Sequence, residues 1–230
     1  MPFTLVGYKD LCQGLPNSVL LVVILGEGLW IIAYALIIWS AFRDKTYGVP
    51  LTAIALNYTW EILYTFVFPS PCWVVRLLRY GWFILDTVIV WQLVRFGRKD
   101  QRIPDFRHYY FIGLLVIFVM ALIGHLTYHH AYQDLGGQQA AYGINFIMSI
   151  LFVLLFYSRK DKHGLSYGAA WAKMLGTGIL ALATALSFIS NPVPVQDFLL
   201  FLFVSIFLFD VWYIILFHWR EPEIAAAATA

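Results

Sequence analysis

The sequence predicts an all-α fold: a polytopic membrane protein whose single domain, residues 1–230, is a seven-transmembrane helix bundle. Three observations predict it. Hydrophobic residues make up 61% of the chain and charged residues 12%, with a mean hydropathy of +0.75; a soluble domain carries about 25% charge. Seven apolar runs reach the ~20 residues that cross a hydrocarbon core. Basic residues gather in alternate connections, as membrane topology requires.

The runs cover residues 18–42, 49–68, 73–96, 109–128, 138–157, 167–190 and 198–219. The first lacks a basic leader and is too long for the apolar core of a cleaved signal peptide, so it is expected to span. Turn chemistry punctuates each junction: "RDKTYGVP", "PSP", "GRKDQRIPD", "DLGG", "SRKDKHG" and "NPVP" in order. The tail "EPEIAAAATA" is expected to fray.

Orientation follows from lysine and arginine. Arg43 and Lys45 follow the first run; Arg95, Arg98, Lys99, Arg102 and Arg107 follow the third. Arg159, Lys160 and Lys162 follow the fifth, and Arg220 the seventh. These share one side, which is therefore cytoplasmic, with the N-terminus outside and the C-terminus cytoplasmic. Arg76, Arg79 and Lys173 sit near span ends and are expected to snorkel to the interface. The expected location is the endoplasmic reticulum of a eukaryote or the inner membrane of a bacterium.

Several functions are excluded. A net charge of +2 without a basic, aromatic-interleaved cluster gives no footprint for nucleic acid. Two cysteines, Cys12 and Cys72, make no zinc motif. Both fall on the outer side, where they are either free thiols or an oxidised pair. His125 and His129, four apart at a helix end, read as interfacial histidines before they read as metal ligands. Neither DDxxD nor DxDD occurs, so no diphosphate-ionising metal site is expected. The last run has no lysine to form a retinal Schiff base.

Four acids do carry chemistry. Glu27, Glu61, Asp86 and Asp210 each lie within roughly 5 Å of the midpoint of their run, at about 1.5 Å rise per residue. A carboxylate there costs about 2.5–3.5 kcal/mol on insertion scales. Asn57, Glu61 and Tyr64 share one helical face, as do Phe203, Phe207, Asp210, Tyr213 and Phe217; Trp82 and Asp86 are four apart. Converging, these faces would line an aromatic cavity with a few carboxyls and amides. Asp86 and Glu27 fit equally well as interhelical hydrogen-bonding groups that hold the bundle.

The block "TYGVPLTAIALNYTWEILY", with NxxWE at Asn57, Trp60 and Glu61, resembles the integral-membrane terpene cyclases of meroterpenoid and indole-diterpene pathways. "WAKMLGT" at 171–177 and "FDVWYI" at 209–214 are similar to later family blocks, in the same order. The resemblance implies that Glu61 and Asp210 are required for cyclisation. It gives Glu27 no role, since the family has a small or polar residue there.

Chemically, a polyene cascade starts when an acid protonates an epoxide or a terminal alkene. Burial keeps a carboxyl protonated, and a second carboxyl nearby strengthens the effect. Glu61 is the expected acid, coupled to Asp210 if the two are close. Trp60, Trp82, Phe207 and Tyr213 offer ring faces to the cation, and Asn57, Tyr64, Asp86 and Glu27 complete the expected lining. Asp86 and Glu27 substitutions are expected to be milder than Glu61 or Asp210 ones.

The expected substrate is a lipophilic prenylated aromatic or indole-type molecule met in the lipid bilayer, with no cofactor, no metal and no nucleic acid. A prenyltransferase and an epoxidase are the expected upstream partners. The competing reading is a small seven-helix transporter or receptor-like bundle whose buried acids bind protons or a cationic solute.

Overall fold

The computed structural model describes residues 17–101, 103–159 and 161–219. Eight α-helices account for nearly all of them, with no strand among the described residues. They are α1 (Asn17–Asp44), α2 (Leu51–Ile62), α3 (Trp73–Asp100), α4 (Pro104–His108), α5 (Tyr110–Tyr132), α6 (Gln138–Ser158), α7 (Tyr167–Ser190) and α8 (Gln196–Trp219). Six of these, α1, α3, α5, α6, α7 and α8, are long and apolar enough to cross a membrane.

The second apolar run folds differently from a plain span. Helix α2 is 12 residues long and passes without a break into a five-residue π-helical turn, Leu63–Val67. The turn closes through Phe68 N–H donating to Leu63 O at 2.7 Å, a bond five residues back. Pro50 precedes the first residue of α2, where its missing N–H costs nothing. The connection "GRKDQRIPD" holds the short helix α4, started by Pro104.

Helix α2 sits at the centre, against α3, α5 and α6; α1 packs along α7 and α3, and α8 along α6 and α7. The α1–α7 crossing is the closest. A Cβ on Gly176 would lie 2.8 Å from Gly26 O, and one on Gly26 would lie 2.5 Å from the Leu180 side chain. Small residues let two backbones approach where lipid gives no hydrophobic drive to association.

Two helix starts are capped by side chains. Ser166 Oγ accepts from Ala169 N–H at 3.2 Å at the head of α7. Asp134, buried in the α5–α6 connection, accepts from Gln139 and Ala140 N–H at 3.3 and 2.9 Å. Burial raises its carboxyl above the ordinary range, against the pull of those N–H groups and of nearby His129.

Cys72, buried just before α3, is disulfide-bonded; Cys12 and the tail expected to fray lie outside the described residues.

The crossing gives a first prediction. Gly176→Ala should destabilise the bundle by about 1–3 kcal/mol, since the added methyl meets backbone rather than a movable side chain. Gly124→Ala, which meets nothing within 4 Å, should be neutral. Thermal aggregation of the detergent-purified variants checks both.

Candidate active site

Residues 57, 61 and 64 repeat at helical spacing along α2 and the π-helical turn that continues it, and that face turns inward. Glu61 is fully buried. Asn57, one turn earlier, reaches its carboxyl with Nδ2 at 3.1 Å. The same nitrogen lies 2.7 Å from Asp86 Oδ2 on α3 and 2.7 Å from the Tyr34 hydroxyl on α1. An amide has two N–H groups, so it cannot serve three acceptors at once. The two carboxyls thus meet at one nitrogen. Their remaining oxygens, Glu61 Oε2 and Asp86 Oδ1, are buried without a close hydrogen-bond partner among the described residues.

Asp210 has a different neighbour. On α8 it accepts from Lys173 Nζ at 2.7 and 2.8 Å, with both side chains about 4% exposed. Lys173 also donates to Ser149 Oγ at 2.7 Å and stands 5.7 Å over the Trp30 ring. Glu61 therefore has Asp86, not Asp210, as its carboxyl partner. The reason is azimuthal: α2 packs on α3, whereas α6 lies between α2 and α8. Lys173 does not snorkel. It is buried, because pairing with a carboxylate offsets desolvation better than a stretch to the interface would.

One cavity joins the two clusters. Trp30 and Tyr34, Asn57, Asp86, Lys173 and Tyr213 all line it, with Met148, Phe152 and small residues between them. It is narrow, with a cavity volume of about 20 Å³ open between the side chains. Gly48, Val49 and Ser166 lie at the end nearest the α1–α2 and α6–α7 connections. Tyr213 packs its ring against Phe152 at 5.4 Å between centroids.

The other expected lining residues stand elsewhere. Phe207 is 53% exposed on the outside of the bundle and does not line the cavity. Trp82 is half-buried outside the lining. Trp60 and Tyr64 serve as anchors: Trp60 Nε1 donates to Gly137 O at 2.9 Å, and Tyr64 O–H to Asp134 O at 3.0 Å. Gly137, at φ +70°, is needed there, since a Cβ would lie 2.8 Å from both rings. Glu27 is half-buried, away from the lining, near the charge of Arg79.

Arg79 itself does not snorkel outward. It is buried, donating to Tyr64 O and Gly136 O at 2.9 Å each, with its guanidinium 5.2 Å from the Trp60 ring. His129 meets the Tyr64 hydroxyl at 3.1 Å and stacks on Phe68, and His125 meets Leu56 O at 2.9 Å.

Tyr34, Trp30 and Lys173 escaped the sequence reading as lining residues. A signal existed for two of them. Tyr34 lies seven residues after Glu27 on one face of α1, and Lys173 falls inside the "WAKMLGT" block.

Fold and cavity define an integral, multi-pass helical membrane protein with an aromatic pocket that Asn57 and Asp86 line and behind which Glu61 is buried. Residues 16–222 match the family described as Pyr4-like transmembrane terpene cyclases, and the chain belongs to that family. It is 29% identical to Terpene cyclase macJ of Penicillium terrestre, over 65% of this chain and 59% of that protein. It is 29% identical to Pyr4-family terpene cyclase mfmH of Annulohypoxylon moriforme, over 80% of this chain and 78% of that one. Asnovolin H synthase nvfL of Aspergillus novofumigatus is 25% identical, over 86% and 85%. No solved structure matches.

The shared amide gives a second prediction. Asn57→Ala removes the donor common to both carboxyls and should lower stability by about 1–3 kcal/mol. A thermal melt of the purified protein in detergent measures it, with Asn57→Gln expected to recover less than half because its amide sits a methylene too far.

Proposed function

We propose that the chain is a membrane-bound terpene cyclase, and that the Glu61–Asp86 pair delivers the proton that starts cyclisation. The substrate class is a prenylated aromatic or indole-type molecule whose polyprenyl chain ends in an epoxide or an alkene. The observation that carries the reading is that both carboxyls share Asn57 at the wall of a largely apolar cavity. Two carboxyls so close cannot both ionise at low cost, so the pair holds one proton between them. That proton goes to the epoxide oxygen or the alkene carbon. The carbon skeleton closes on the cation, and a proton leaves at the end, so the reaction is a net isomerisation. Tyr34, Trp30 and Tyr213 present ring faces to the travelling charge, and the dry lining keeps water from trapping it.

Asp210 acts differently in this scheme. Both its oxygens accept from Lys173 Nζ, and it supports the cavity through that pair instead of starting the cascade. Glu27 stays a bundle-holding group. The protein takes its substrate from the bilayer, after a prenyltransferase and, for an epoxide, an epoxidase have made it. Family membership and the cyclase names of its relatives support this reading.

Glu61→Gln and Asp86→Asn should each reduce product by about 10²–10⁴-fold, the range of general acid catalysis, with inserted protein unchanged. Asp210→Asn should also lower the amount of inserted protein, because it strands a buried ammonium at about 3–5 kcal/mol. Product per unit of inserted protein, from membranes given epoxidised and non-epoxidised farnesylated aromatics, checks all three. Full turnover in Glu61→Gln would remove it from the acid.

We also propose that α2 with its π-helical turn is a seventh span, giving an outer N-terminus and a cytoplasmic C-terminus. Arg43, Lys45, Arg98, Lys99, Arg107, Arg159 and Lys162 lie at one end of the bundle, and the 133–137 and 191–195 connections at the other carry no lysine or arginine. A reporter fused after Ala230 should be active only in its cytosolic form. An externally active fusion would overturn the orientation.

A further inference from the structure

The two ends of the cavity differ in charge. We propose that Lys173 is a specificity-determining residue that anchors the substrate's head group, and that the preferred head bears a hydrogen-bond-accepting oxygen. A phenol, carbonyl or carboxylate qualifies; a bare hydrocarbon ring or a ring N–H does not. This rests on the cyclase reading above and names the substrate class of the same cavity.

Three features carry it. Lys173 lines the cavity and Asp210 does not, so the ion pair turns its positive end inward. The ammonium has three N–H groups. Asp210 takes two through both its oxygens, and the third goes to Ser149, a neutral hydroxyl whose own proton is committed to Asn145 O at 2.9 Å. A ligand oxygen can therefore replace the Ser149 contact while the ion pair stays whole. An N–H donor aimed at the same nitrogen would meet only like charge.

The third feature is the layout. An ammonium repels a carbocation, so the cascade belongs at the carboxyl end and the head at the lysine end. The α1 aromatics connect them. Trp30 lies beside Lys173, Tyr34 follows at 5.6 Å between ring centroids, and the Tyr34 hydroxyl reaches Asn57. A polyprenyl chain laid along Trp30 and Tyr34 would bring its far end to Glu61 and Asp86.

The test measures binding of two unreactive analogues to the purified protein by calorimetry in detergent. Both carry a fully saturated farnesyl chain, one on methyl 2,4-dihydroxybenzoate and one on benzene. The wild type should bind the oxygenated head roughly tenfold or more tightly, the size of one hydrogen bond to a charged donor. In Lys173→Met/Asp210→Asn, which strands no charge, that preference should fall below about twofold. Lys173→Arg should keep it.

Equal affinities in the wild type, or a preference that persists in the double variant, overturn the proposal. The wild-type comparison decides alone if the double variant does not fold. Turnover of the unsaturated epoxide by the wild type is scored separately. Selective binding without any cyclised product refutes the cyclase reading and leaves the anchor standing.

Discussion

Taking charge out of water without a partner is the constraint to which this bundle is built. The interaction that meets it most economically is the Asn57 amide, which reaches Glu61, Asp86 and Tyr34 from one nitrogen. Three helices, α1, α2 and α3, are tied at one depth by it. An apolar side chain at 57 would leave two carboxyls facing each other with nothing between. The second cluster meets the same constraint by opposite charge, with Lys173 and Asp210 joining α7 to α8. The second cluster is neutralised within itself, and the first is held by the amide its two carboxyls share.

The clusters hold their geometry because α2 is fixed at its far end. Its α-helical bonding gives way to a π-helical turn, and Arg79 donates to the Tyr64 carbonyl there while also reaching Gly136. Trp60 binds Gly137 and Tyr64 binds Asp134, so the α5–α6 connection is pinned at two points to α2 and its π-helical turn, and at a third to Arg79 of α3. Glu61 lies between Trp60 and the turn, and its side chain inherits that rigidity. The tryptophan of NxxWE thus stands beside the acid, outside the cavity lining, with its ring N–H on the Gly137 carbonyl.

Much was legible along the chain. A carboxylate in an apolar run is a local fact, and so is its depth. Glu61, Asp86 and Asp210 were recognisable as a set for that reason, and all three are buried at the centre of the bundle. The NxxWE block pointed to the terpene cyclase family, to which the chain belongs. Side-chain periodicity placed Tyr213 on the face of Asp210, and Tyr213 lines the cavity. Periodicity failed for Phe207, because a stripe wide enough to hold five aromatics also reaches the lipid side.

By itself the sequence determined the helical class, the apolar spans, the acids and their depth, since each depends on residues near one another in the chain. Tertiary structure alone decided the partners. Whether Glu61 faces Asp86 or Asp210 depends on which helices touch and how each is rotated, and no spacing within one helix records that. The same holds for Lys173 and Arg79. Each sits where a long cationic side chain could reach an interface, and each turns inward: Lys173 to a carboxylate on α8, Arg79 to carbonyls of the π-helical turn and of the α5–α6 connection.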